Sequence, residues 1–271
     1  MMILAQAKTM SCKKGSKYIL KDINWTINSA EHWIVMGNNG CGKTTLASIM
    51  AGYQPYSVGE VLLYGETLNA ASAERLRSQV CFVSTSYFDK CLFHENGLNI
   101  VLGGRIGQLC EDERITDADV IRAKHLLQAL GIGQKGLYPY DLLSCGQRQK
   151  IMLARGLMMR PKRMILDEPC NGLDMLSRDQ YLNTLKEISA CVNTSIVCVT
   201  HYSDEIMPFF THILLLKNGA VFAQGKINEI ITADTMSAFF EKKTNVWHEN
   251  DRFRFQVSDE LIIEKKFWWI E

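Results

Sequence analysis

Met36-Gly37-Asn38-Asn39-Gly40-Cys41-Gly42-Lys43-Thr44-Thr45 has the residue types and spacing of a phosphate-binding turn, Gly-x-x-x-x-Gly-Lys-Thr. The apolar run Trp33–Met36 enters it, Leu46–Ala51 leaves it, and Gly52 is placed to stop a helix. Strand, glycine-rich turn and helix form the context that such a loop requires. Glycines let backbone N–H groups converge on phosphate oxygens, and a helix N-terminus favours the negative charge. In this arrangement Lys43 reaches the β- and γ-phosphates and the Thr44 hydroxyl ligates Mg²⁺. The residues therefore point to nucleotide binding.

A second constellation is Met164-Ile165-Leu166-Asp167-Glu168-Pro169. An apolar strand ending in two acids can put one carboxylate on a metal's hydration shell and the other beside the γ-phosphate. Asp167 is expected to hold Mg²⁺, and Glu168 to orient or deprotonate the attacking water. Acids at a strand end are also common solvated loop residues, and it is the upstream phosphate loop that gives these two their meaning. A third stretch, Leu143-Ser144-Cys145-Gly146-Gln147, precedes the helical Arg148–Arg160. It reads either as a second anion site at a helix N-terminus or as a plain serine N-cap.

These groups need a scaffold. The 271 residues, 47% hydrophobic and 22% charged, suit one large α/β domain or a core with an appended piece. A net charge of +1 gives no bulk attraction to nucleic acid or anionic membrane, so no direct nucleic-acid partner is expected. No apolar run spans a bilayer and no secretory signal is read, which predicts a cytoplasmic location. Nine scattered cysteines, without a Cys-x-x-Cys pair, fit free thiols in a reducing compartment. Cys41 and Cys145 fall inside motifs, either as small fillers of tight sites or as thiols whose alkylation stops turnover.

Along the chain, Ile3–Met10 and Tyr18–Ile27 read as strands around a turn at Lys13–Ser16. Gly59–Gly65 and Val80–Val83 read as further strands, with a helix at Arg75–Gln79. From Ser84 to about Arg160 helical patterns dominate, notably Asp117–Leu130 with Val120, Ile121, Leu127 and Leu130 at helical spacing. This region is expected to be a helical subdomain inserted into the α/β core. Strands follow at Arg163–Glu168, Ile196–Thr200, Ile213–Leu216 and Ala220–Ala223, with a helix at Leu182–Ala190. Beyond about residue 230, a helix at Thr235–Lys242 and a hairpin of Val246–His248 with Arg252–Phe255 form a C-terminal extension. The expected division is residues 1–230 and 231–271.

The order of phosphate loop, Leu143–Gln147, Ile165–Pro169, Asn171-Gly172-Leu173-Asp174 and Val199-Thr200-His201 resembles the ATP-binding cassette (ABC) ATPases over about residues 3 to 230. The resemblance implies a P-loop α/β fold with a mixed sheet, an antiparallel edge and the inserted helices. It implies ATP and Mg²⁺ as cofactors, with Gly37, Asn38, Asn39, Gly40, Cys41, Gly42, Lys43, Thr44 and Thr45 cradling the nucleotide. It makes Leu143–Gln147 the family's signature, with Cys145 in place of a glycine, Asn171–Asp174 its D-loop and His201 its switch histidine. Such ATPases work as head-to-tail dimers, so Ser144, Gly146 and Gln147 are expected to act across a homodimer or a pairing with a sister ATPase. Lys43, Glu168 and His201 are the expected catalytic set.

Two departures narrow the reading. Where the family has a glutamine after Val80–Val83, this chain has Ser84-Thr85-Ser86, which puts coupling to a membrane partner in question and offers a hydroxyl to the metal shell. The aromatic that stacks on adenine falls near Lys14, with Tyr18 as the available ring. Val101-Leu102-Gly103-Gly104-Arg105 resembles ATPases of metal and cofactor importers. Asp22–Trp25, Glu31–Trp33 and Phe239–Phe255 resemble a soluble-looking branch grouped with molybdate transport. The expectation is thus the ATPase subunit of a transporter, an importer, with a membrane-spanning permease. The alternative is a stand-alone ATPase acting on a non-membrane partner. Phe267, Trp268 and Trp269 are expected to fold back over the core.

Overall fold

The computed structural model describes residues 2–84, 94–106, 114–191, 194–249 and 252–258. Thr85, Ser86 and the aromatics Phe267, Trp268 and Trp269 lie outside the described residues.

Six strands form the central sheet, in the order β10-β9-β3-β8-β7-β6. They are β3 (Trp33–Met36), β6 (Val80–Ser84), β7 (Arg163–Asp167), β8 (Ser195–Thr200), β9 (His212–Lys217) and β10 (Ala220–Lys226). All pairs are parallel except β9 with β10, which closes one edge as an antiparallel hairpin. Every residue of β3, β6, β7 and β8 is buried. Parallel strands covered on both faces need such continuous apolar runs. Their register matters most for function. Met36 pairs with Thr200, Val199 with Asp167 and Asp167 with Ser84, so four distant segments end side by side. Ligands of open α/β sheets bind just outside these carboxyl ends.

A second, antiparallel sheet runs β2-β1-β4-β5, comprising β1 (Ile3–Lys14), β2 (Lys17–Asn28), β4 (Val58–Leu63) and β5 (Glu66–Thr67). Register shifts along β1 explain why its sequence alternates only loosely. Between the sheets runs α1 (Lys43–Met50); a short α2 (Ala73–Arg77) begins two residues before the expected Arg75.

The expected run of helices is present as α3 (Gly97–Ile106), α4 (Asp117–Ala129) and α5 (Cys145–Met158). A capping box starts α4, where Thr116 Oγ1 accepts from Asp119 N while the Asp119 carboxylate accepts from Thr116 N. Its expected apolar stripe is narrower than read. Leu127 and Leu130 are buried, but Ile121 is 56% exposed and points away from the core. Two glycines let α5 pack tightly. A Cβ on Gly104 would meet the Arg155 carbonyl, and one on Gly156 would meet Cys81 Sγ.

Helix α6 (Met175–Cys191) starts seven residues before the expected Leu182. Its first turns carry Met175 and Leu176 into solvent, so they lack apolar periodicity. The start is fixed by Asp174, whose carboxylate accepts from Ser177 N at 2.8 Å. Near the C-terminus, α7 (Ile227–Ile230) and α8 (Ala233–Phe240) precede the hairpin β11 (Thr244–Glu249) and β12 (Arg252–Val257). Phe239 and Phe253 are buried, and Arg252 donates to Asp179 of α6 at 2.9 Å. No helix among the described residues is long and apolar enough to cross a membrane.

Candidate functional site

The phosphate loop leaves β3 at Gly37, where a Cβ would meet the Leu216 carbonyl and Cys41 Sγ. Gly40 and Gly42 take positive φ of 79° and 106°, which other residues rarely adopt. Gly42 is also the N-cap of α1 and supplies no side chain, so the helix's leading N–H groups face the loop. Asn38, Asn39 and Gly40 are exposed, whereas Cys41 and Lys43 are buried. Lys43 Nζ donates to the carbonyls of Gly37, at 2.9 Å, and Asn38, at 3.2 Å, and lies 3.9 Å from Glu168 Oε1.

Asp167 ends β7 nearly buried and is held from two sides. Thr44 Oγ1 donates to its Oδ1 and Ser84 Oγ to its Oδ2, both at 3.1 Å. Burial pushes its carboxyl above the usual range, against the two hydroxyls and Lys43, which hold it down. A carboxylate between two hydroxyls at a strand end is a hard-oxygen donor set of the kind Mg²⁺ takes together with phosphate oxygens and water. The residues fit that ion. A buried carboxylate also gains most from a bound cation.

Glu168 follows with φ 48°, a left-handed conformation uncommon for a non-glycine residue. Such strain costs on the order of 1–3 kcal/mol and gathers at functional sites. Its backbone N–H donates to the Val199 carbonyl at 3.0 Å, which fixes the turn against β8. The side chain is left partly exposed, with Oε1 3.7 Å from His201 Nδ1. That imidazole nitrogen is buried and makes no hydrogen bond among the described residues. Lys43, Glu168 and His201 are thus brought together around one point.

The signature residues are organised differently. Ser144 is the N-cap of α5, with its Oγ accepting from Gln147 N at 3.3 Å and Gln147 Oε1 accepting from Ser144 N at 3.1 Å. The plain capping role is therefore real, and the exposed hydroxyl stays available on its other lone pair. A Cβ on Gly146 would touch Leu173 and Ser177, and Cys145 Sγ donates to the Asn171 carbonyl at 3.3 Å, so the motif packs on Asn171–Asp174. Among the described residues, no hydrogen bond joins Ser144, Gly146 or Gln147 to the phosphate loop of the same chain.

Tyr18 is 44% exposed, with Lys13 Nζ over its ring at 4.5 Å. It lines a cavity of about 410 Å³ together with Asn38–Cys41, Lys217–Gly219 and the C-terminal Phe240 and Glu241. Nothing in the sequence shows that residues past 231 reach this cavity. Nor does it mark Arg178 and Glu205, which lie behind His201. Glu205, at the end of the polar run Ser203-Asp204-Glu205, is only 2% exposed.

Known proteins resemble this chain over most of its length. The ABC transporter family profile matches residues 20–171. The chain is 35% identical over 252 residues to an uncharacterized ABC transporter ATP-binding protein of Bacillus subtilis, YlmA, covering 92% of this chain and 96% of that one. It is 28% identical over 262 residues to the spermidine/putrescine import ATP-binding protein PotA of Haemophilus ducreyi, covering 97% of this chain and 66% of that protein. Among solved structures, cbiO1 of Clostridium perfringens, part of the ABC transporter complex cbiONQ, superposes with a TM-score of 0.72 at 24% identity over 88% of this chain and 94% of that one. A dimeric ATP-binding cassette with ADP and Pi bound superposes with a TM-score of 0.73 at 24% identity, over 82% of this chain and 98% of that one. These two likenesses speak for the fold.

Proposed function

The chain belongs to the ABC transporter family of ATP-binding, ATP-hydrolysing subunits, and from that premise we propose that it powers an importer as one half of a head-to-tail dimer. The observation that carries the reading is the convergence of Lys43, Asp167, Glu168 and His201 at the ends of β3, β7 and β8. On binding ATP, Lys43 exchanges the Gly37 and Asn38 carbonyls for β- and γ-phosphate oxygens. The N–H groups of residues 38–45 hold the remaining oxygens, with Asn38, Asn39, Gly40, Cys41, Gly42 and Thr45 completing the cradle. Thr44 and Asp167, with Ser84 behind it, would hold Mg²⁺, which when bound neutralises charge on the phosphates. Tyr18 covers the base. Glu168 orients the attacking water, and His201 hydrogen-bonds the γ-phosphate, so positioning and electrostatics supply most of the acceleration.

In the dimer, Ser144, Gly146 and Gln147 of one chain complete the other's site, which fits their separation from the phosphate loop within one chain. Residues 231–271 are proposed as an extension appended to a cassette of residues 1–230 that carries its helical subdomain at about 84–160. The import role draws on the import ATPases among the relatives. Peripheral placement on the cytoplasmic face of a membrane, against a permease, follows from that role.

A second reading is favoured by one observation. Ser84, at the start of the stretch where the family carries its coupling glutamine, is turned inward onto Asp167, and a stand-alone ATPase acting on a non-membrane partner needs no such glutamine. Affinity purification of tagged Glu168→Gln protein from its own cells, in mild detergent with ATP, separates the two. A polytopic membrane protein at stoichiometric level is expected. A soluble partner, or none, would replace the transporter reading with the second.

A further inference from the structure

Beyond His201 the chain turns through the 3₁₀ segment Ser203–Glu205, and one side chain of α6 grips that turn. Arg178 Nη1 donates to Asp204 Oδ2 at 3.1 Å, and its Nε lies 3.9 Å from Glu205 Oε1, an ion pair beyond hydrogen-bonding distance. The guanidinium also covers the Tyr202 ring at 4.9 Å. Tyr202 in turn lies 3.9 Å, ring to ring, from His201. His201 is the residue whose Nδ1 faces Glu168. At its other end, the Arg178 backbone N–H donates to the Asp174 carbonyl at 2.9 Å, one helical turn from Asn171–Asp174.

A carboxylate as buried as Glu205 is a poor way to gain stability, because desolvation offsets most of the attraction to its partner. What it does supply is a fixed geometry. We infer that Arg178 and Glu205 are positioning residues for ATP hydrolysis: their pairing fixes Tyr202 and His201 against Glu168 and ties that setting to the Asn171–Asp174 segment. The inference rests on the roles proposed above for Glu168 and His201.

The surroundings of Glu205 are crowded with groups that bear on its charge. Arg178 comes from α6, Asp204 from the same turn, Glu168 and Cys170 from the end of β7, and Cys198 and Thr200 from β8. The β12 strand packs on the same turn and commits Arg252 to Asp179. Burial, only partly opposed by the Thr200 hydroxyl and Arg178, pushes the Glu205 carboxyl up to about 7. The pair is therefore a full ion pair above that pH and a neutral acid beside an arginine below it.

The test is steady-state ATP hydrolysis by the full chain, with Glu168→Gln as the control. Arg178→Ala is expected to lower kcat by about 10- to 100-fold with KM for ATP nearly unchanged, since misplacing a catalytic group costs rate rather than binding. Arg178→Lys should recover part of the loss. Glu205→Gln should lower kcat above pH 7 and flatten the rise of kcat through about 7. Wild-type kcat and pH profile in Arg178→Ala and Glu205→Gln would overturn the inference. If Arg178→Ala does not fold, Glu205→Gln decides alone. An active Glu168→Gln would instead remove the catalytic assignment on which the inference rests.

Discussion

Ser84 Oγ donates to Asp167 Oδ2 on the side opposite Thr44, so the carboxylate reaches the metal position already aimed. The two hydroxyls only partly oppose the burial that pushes Asp167 upward. Removing one leaves a buried carboxylate oxygen without its partner, a loss of about 1.5–3 kcal/mol for a hydrogen bond to a charged group. Ser84→Ala is therefore expected to raise the Mg²⁺ concentration giving half-maximal ATP hydrolysis by about 10-fold or more. Titrating Mg²⁺ at saturating ATP measures it. An unchanged Mg²⁺ dependence would show that Ser84 merely fills space.

Glu168→Gln keeps the size and the left-handed turn of Glu168 and loses only the base. Hydrolysis should fall by about 10²–10⁴-fold, the usual worth of a general base, while ATP binding persists and a closed dimer accumulates. Single-turnover kinetics and size-exclusion chromatography with ATP check the two halves separately. Near-normal turnover would take Glu168 out of the role.

The site was legible in the sequence wherever chemistry requires consecutive residues. The phosphate loop, the Asp167–Glu168 pair and the capped Ser144–Gln147 helix start each announce themselves within a few positions. Their convergence was legible only through the order of motifs, because it depends on the parallel register that sets Ser84, Asp167 and Val199 side by side. What stayed hidden was burial of polar groups. Ser203–Glu205 has the composition of a surface turn, and Glu205 is buried by elements distant in sequence: α6, the ends of β7 and β8, and β12. The start of α6 was missed for a related reason, since its cap is Asp174 and its first turns face solvent.

The two motif cysteines differ in their surroundings. Burial pushes the Cys41 thiol up, more than Lys43 lowers it, and its sulfur packs under Gly37. Cys145 is exposed at the head of α5. Thiolate reactivity follows exposure and a low pKa. Maleimide is thus expected to label Cys145 well before Cys41, and Cys145→Gly should protect ATP hydrolysis where Cys41→Ala does not. Peptide mapping after a timed pulse reads the order of labelling. Preferential loss of Cys41 would reverse the assignment.

Glu205 also makes a statement about stability that can be read without turnover. Its carboxyl sits at about 7 in the fold, against an ordinary value of 4.5. The folded state therefore prefers the protonated form. Its contribution is fully present below the ordinary value and is lost as pH rises through about 7, since ionising a 2%-exposed carboxyl is costly. Glutamine is neutral at every pH and keeps the shape. Glu205→Gln should accordingly be more stable than the wild type above pH 7, by on the order of 3 kcal/mol from the size of the displacement, and should lose that advantage in acid. Thermal unfolding of both proteins across the pH range measures it, and a difference in Tm that does not vary with pH would refute the buried-acid account. A variant that gains stability while losing turnover would mean that the chain retains a costly buried charge because the charge holds Arg178 behind His201, a trade commonly found where an active site needs a destabilised group.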